Sequence, residues 1–183
     1  MKKLALFAFF ISGLAGVQAA PVTQYSADQV ITGKGGARTA KVHVDNGKMR
    51  TETDIDGRST INIVRIDRKV MYMVMPAQRT YMEHRIRPED EMVARSYEKD
   101  AKREAVGTET VKGQPCTKYK ITHGGNVVYL WTNKMNEMPV QMLSADNKTR
   151  IEWNNVKVGP QPASLFEPPV GYQKMGMSAR VSD

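Results

Sequence analysis

The sequence predicts a mainly β protein: one domain, built as an antiparallel meander of about eleven strands with one main helix. Three observations predict it. Apolar and polar residues alternate with period two along most of the chain, tight-turn residues recur at short intervals, and helical periodicity appears in a single stretch.

The chain opens with Lys2 and Lys3, an apolar run over 4–17 and the small-residue exit Val17-Gln18-Ala19. A basic start, a short apolar run and an A-x-A-like end are the parts of a secretory signal peptide. The run is too short for a stable membrane span. The expectation is cleavage after Ala19, export to the periplasm, and a single domain over 20–183. Cleavage leaves 25 basic against 19 acidic residues, a net of +6, and eleven methionines. An exported basic surface faces anionic headgroups or acidic proteins in preference to nucleic acid. Cys116 stands alone, so no intramolecular disulfide forms, and the expectation is a buried, inert thiol.

Strands follow in order. The first, over 25–32, ends at a Gly33–Gly36 cluster that reads as a turn, since no Lys-Ser/Thr follows as in a phosphate loop. The next two, 37–45 and 48–54, pair across Asn46-Gly47, whose two positions suit the positive φ of a tight hairpin. Asp56-Gly57 turns the chain into the stretch Ser59–Arg85, which reads as strands 60–66, 69–75 and 79–86, turning at Asp67-Arg68 and at Pro76-Ala77-Gln78. In the middle one, Met71, Met73 and Met75 leave one face while Tyr72 and Val74 leave the other, the pattern of a strand covered on both sides. Pro88, with Glu89, Asp90 and Glu91 behind it, opens the one helical stretch, 88–100, with Met92 and Tyr97 on its apolar side. It is expected to lie across one face or mouth of the sheet. Strands resume over 104–111, 116–122, 126–132, 140–144 and 149–158, separated by Lys112-Gly113-Gln114, Gly124-Gly125, Met138-Pro139 and Asp146-Asn147. A helical turn over 163–166 and an irregular tail close the chain.

Catalytic patterns are missing from the sequence. His43, His84 and His123 sit in no recognised motif, and there is no G-x-S-x-G, H-E-x-x-H or C-x-x-C. Asp54-Ile55-Asp56-Gly57 lacks the downstream ligands of a calcium loop. The expectation is a protein that is not an enzyme and needs no cofactor.

Five stretches carry a resemblance: the signal peptide, "VMYMVMPAQRTYME", "VKGQPCTKYKI", "YLWTNKMNEMPVQML" and "SLFEPPVGYQKM". With their order along the chain, they make it similar to the LolA-like and LppX-like superfamily of periplasmic lipoprotein carriers and lipid-binding lipoproteins, and closer still to a group of exported relatives within it. The resemblance implies a curved, incompletely closed antiparallel β-barrel whose concave side is covered by helix, with an apolar interior that receives acyl chains. It implies a carrier of lipid or lipidated protein in outer-membrane biogenesis, with membrane-surface or envelope-protein partners. The arginine and helical lid of the lipoprotein carriers have no single counterpart here, so cargo does not carry over.

The functional expectation is an apolar cavity walled by Ile61, Ile63, Met71, Met73, Met75 and Met82, with Met92 and Tyr97 at its mouth. Flexible, polarizable methionines suit such a surface. Two alternatives stand beside it. The methionines fill an irregular core in a structural envelope protein without ligand, or Met71, Met73, Met75 and His84 bind Cu(I), which soft thioethers favour. Trp131 and Trp153 read equally as core or as ligand contacts.

Overall fold

A computed structural model of the chain describes residues 22–86, 103–123 and 125–176. Twelve strands form one sheet: β1 (Gln24–Gly33), β2 (Gly36–Asp45), β3 (Lys48–Ile55), β4 (Arg58–Arg65), β5 (Val70–Met75), β6 (Thr80–Arg85), β7 (Arg103–Val111), β8 (Gln114–His123), β9 (Asn126–Asn133), β10 (Pro139–Ser144), β11 (Arg150–Val158) and β12 (Gln173–Lys174). Their order is β12-β6-β5-β4-β3-β2-β1-β11-β10-β9-β8-β7, so the sheet has two ends and is not closed into a barrel. All eleven expected strands are present, and the two-residue β12 is an addition. The meanders β1–β6 and β7–β11 are zipped together by antiparallel pairing of β1 with β11. Register shifts interrupt that pairing between Ser26 and Asp28, and others fall in β7 and β10. Such bulges bend a strand and tighten its twist.

The helix expected over 88–100, with Met92 and Tyr97, lies outside the described residues. Among the described residues the helical segments are short 3-10 turns: Ile66–Arg68, Pro76–Gln78 and Ala163–Phe166.

Alternation assigns every side chain of the sheet to one of two faces. On the first, Tyr25, Val44, Met49, Val64, Met71 and His84 form one cross-strand row from β1 to β6. The next row is Ala27, Val42, Thr51, Asn62, Met73 and Met82. This methionine face continues over β11–β8 through Trp153, Met142, Leu130, Val128 and Ile121, which pack with Tyr25, Val42 and Val44 as the main core. Tyr25 is 0% exposed and Val42, Val44 and Leu130 are 1% exposed, so the centre of this face is fully removed from water.

The second face is crossed by residues 159–175, which leave β11 and reach the outer edge of β6. Contacts follow in strand order. The Gly159 amide donates to Gln24 O of β1, and His43 Nδ1 of β2 pairs with Gln161 Oε1 at 2.9 Å. Arg50 of β3 donates to Leu165 O, and Arg65 of β4 to Phe166 O. β12 then adds in parallel to β6, with the amides of Gln173 and Met175 donating to Arg79 O and Tyr81 O. This strap has no period and several prolines, because it takes its hydrogen bonds from arginines and a strand edge instead of from a ladder of its own.

Phe166 anchors the strap, at 0% exposure, among Ile61, Ile63, Tyr72 and Val74. Lys48 Nζ lies 5.9 Å from the centre of its ring. Removing that ring leaves a cavity that a sheet cannot close. Phe166→Ala is expected to cost about 3–5 kcal/mol of unfolding free energy, read from urea denaturation. A loss below about 1 kcal/mol would mean that the strap is not seated there.

Candidate functional site

The methionine face gathers Met49, Met71, Met73, Met75 and Met82 on β3, β5 and β6. Two tight turns put them there. After each 3-10 turn one residue, Lys69 or Arg79, takes a left-handed conformation with φ of 55° or 52°, and its amide donates to Ile66 O or Pro76 O. Those turns fix the register so that Met71 stands opposite His84, and Met73 opposite Met82. Directly opposed side chains have Cβ atoms about 5 Å apart. Met71 is nearly buried and packs with Val64, Met49 and Ile86, whereas Met49, Met73, Met75, Met82 and His84 are half-buried. The face therefore grades from a dry centre at β1 and β2 to a softer, partly accessible margin at β5 and β6.

Ile61 and Ile63 correct the expectation. They pair with Val74 and Tyr72, which point away from the methionines, so both isoleucines lie on the strap face under Phe166. Ile63 is 0% exposed there. They are core residues of the strap contact and do not share a wall with Met71, Met73, Met75 and Met82. The methionine face takes from the neighbouring strands Met49, Asn62 and Val64, none of which apolar runs alone single out. Their signal is register: carrying the pairing through Asp56-Gly57 and Asp67-Arg68 places all three beside Met71 and Met73.

The tryptophans divide. Trp153 joins the core of the methionine face. Trp131 lies on the strap face with Cys116 and Val140, its Nε1 donating to Glu109 Oε2 at 3.1 Å. Lys118 Nζ sits 4.7 Å from the Trp131 ring centre and bonds the same carboxylate. The Glu109 carboxyl is accordingly held below its ordinary range, by Lys118 first and by Trp131 second.

Grooves open on the strap face beside the β1–β11 bulge. One of about 570 Å³ is lined by Ser26, Asp28, Lys41, His43, Asn155 and Lys157. Another of about 700 Å³ adds Thr39, Glu52, Asp54 and Asn154. Charged side chains line both, with Val30 and Ala40 beside them in the second. His43, bonded to the strap, and His84, among the methionines, stand on opposite faces, and His123 ends β8. Among the described residues no three His, Cys, Asp or Glu side chains converge as a metal site. The Asp54 carboxylate accepts the Gly57 amide at 2.9 Å, closing a turn where the sequence faintly suggests a calcium loop.

Arg65 is a densely satisfied charge. It is 6% exposed and donates to both carboxylate oxygens of Asp67, at 2.9 and 2.7 Å, to Phe166 O and to Glu167. Those partners raise its pKa further above an already high value, the Asp67 hydrogen bonds most of all. Asp67 is lowered in turn, chiefly by the hydrogen bond from Arg65.

A model of the family described as a domain of unknown function, DUF4412, matches residues 29–137. The chain belongs to the DUF4412 family. The match runs from β1 to the turn after β9, so it contains both hairpins that build the methionine face. No curated protein matches this DUF4412 chain. A solved structure with the same fold is an uncharacterized conserved protein from Thermus thermophilus, 12% identical over 84% of this chain and 90% of that one, with a TM-score of 0.59. LolA-like structures are among those it is similar to. One is a LolA superfamily protein from Nitrosomonas europaea, 10% identical over 82% of this chain and 92% of that one, at a TM-score of 0.45. Another is a putative outer membrane lipoprotein-sorting protein domain from Vibrio parahaemolyticus, 11% identical over 81% and 91%, at 0.41.

Two outcomes are expected from the charged and thiol groups. Because the Asp67 carboxyl is lowered in the folded state, its contribution is fully present above its unfolded value, about pH 4, and is lost as pH falls through the folded value. Asp67→Asn should flatten the fall of the urea midpoint below about pH 4; an unchanged acid limb would exclude the Arg65 pairing as its source. Cys116 is 0% exposed and burial pushes its thiol above the ordinary value. Native protein should leave a disulfide reagent unreacted and denatured protein should consume one equivalent, and fast reaction of native protein would refute the burial.

Proposed function

We propose that this protein is an exported, non-enzymatic binding or carrier protein. It takes a lipid, an acyl chain or the acylated end of a lipidated protein against its methionine face. One observation carries the reading: five methionines on β3, β5 and β6 share one face, four of them half-buried, next to a fully dry core on the same face. Methionine adapts to irregular apolar partners at low cost, and it does so best where its side chain is not yet fully packed. β5 and β6 add to this face Thr80 and His84 but no lysine, arginine or carboxylate, so an acyl chain meets no desolvated charge there.

The remaining parts of the proposal follow from the sequence. The start of the chain suits export to the periplasm and cleavage after Ala19. The basic balance suits a donor or acceptor that is a membrane surface or an envelope protein.

Placing a charge in the middle of the face tests it. A fluorescent fatty acid titrated into the full chain should bind, and Met73→Lys should weaken that binding at least tenfold, with Ile61→Val on the other face leaving it unchanged. Freshly purified protein should also release lipid on solvent extraction, seen by mass spectrometry. Protein that comes empty and ignores added fatty acid would contradict the proposal.

A further inference from the structure

The register of β5 and β6 does more than collect apolar groups. Met71 opposes His84 and Met73 opposes Met82. The two pairs are adjacent on one face, two residues apart along each strand. Opposed Cβ atoms lie about 5 Å apart and successive same-face residues about 7 Å apart. Four side chains therefore start from the corners of a rectangle small enough for long, flexible thioethers to span. Three of the corners are sulfur and the fourth is imidazole.

We propose that Met71, Met73, Met82 and His84 form a Cu(I) site with three thioether ligands and one imidazole. The donor chemistry selects the ion. Thioethers are soft and neutral and favour Cu(I) among the common cations. A divalent ion here would keep its full charge beside an apolar wall, because neither β5 nor β6 brings a carboxylate or thiolate to this face. A monovalent ion leaves a single charge to be stabilised, and the partly accessible margin of the sheet can hydrate it.

The rectangle also decides which methionine is left out. Met75 stands opposite Thr80, so its cross-strand partner offers a hydroxyl where the other two offer sulfur and imidazole. The ligand set therefore spans the hairpin and does not follow the single strand that the M-x-M-x-M spacing suggests. Met49 and Val64 pack against Met71 from the neighbouring strands β3 and β4. The site uses the same face as the acyl-chain reading but does not depend on it, since metal binding needs only the β5–β6 hairpin in place.

Cu(I) titrated anaerobically into the full chain, in competition with a chromophoric Cu(I) chelator, tests this. The expected result is one ion per chain, with affinity falling at least tenfold in Met73→Leu, Met82→Leu and His84→Gln. Met75→Leu and Cys116→Ala should retain it. X-ray absorption of the loaded protein should fit three sulfur neighbours and one nitrogen. Far-UV circular dichroism and the urea midpoint confirm that each variant remains folded, and Ag(I) titrated calorimetrically provides a second soft probe. Binding that survives Met73→Leu with Met82→Leu, binding lost with Cys116→Ala, or no binding of either ion overturns the site.

Discussion

The register of β4, β5 and β6 is the constraint on which everything else in this molecule depends. A strand repeats every two residues, so a slip of one position would exchange its two faces completely. Here that exchange would put Met71, Met73 and Met82 under the strap and send Tyr72, Val74 and Tyr81 to the other side. Two turns prevent it. Each is a 3-10 turn closed by one left-handed residue, and in both cases that residue is a long basic side chain, Lys69 or Arg79, where glycine would be easier. Tertiary packing on both sides of the hairpins outweighs that local cost.

The strap supplies the packing on one side. Running from Gly159 to β12, it meets β1, β2, β3, β4 and β6 in turn and closes the face that holds Ile61, Ile63, Tyr72 and Val74. Arg65 is its main polar tie. A buried guanidinium is costly unless its donors find acceptors, and Asp67, Glu167 and the Phe166 carbonyl take four hydrogen bonds from it. Removing one acid would expose that cost, so the tie specifies where the strap lies more than it adds stability. With Ile61, Ile63, Tyr72 and Val74 covered and the β6 edge capped by β12, the half-buried methionines are what these hairpins leave available for a ligand.

Much of this was legible in the residues. Alternation and the Asn46-Gly47, Asp56-Gly57 and Lys112-Gly113 turns place the long strands within a residue or two of their observed ends, and the single thiol is buried as its isolation suggests. The faces were harder. β4 is apolar in both directions, with Ile61 and Ile63 on one side and Val64 on the other, so composition cannot say which belongs with the methionines. Pairing can: a turn at Asp67-Arg68 sets Ile63 against Tyr72 and Ile61 against Val74, and both isoleucines follow those partners. Met49 becomes visible only by the same step. The strap was not legible, because its hydrogen bonds come from distant arginines and it has no period to read. The likeness implied by the turn-and-strand motifs points to an apolar interior, whereas the grooves beside the β1–β11 bulge have no signature in spacing at all.

The most direct measurement of the central claim is a set of methionine-methyl nuclear Overhauser contacts in the folded chain. The account predicts cross-peaks between Met73 and Met82 and between Met71 and Val64, with none from Met71 or Met73 to Ile61 or Ile63. Contacts from either methionine to those isoleucines, or Met71 facing Met82, would show another register and remove the shared face on which both binding proposals stand.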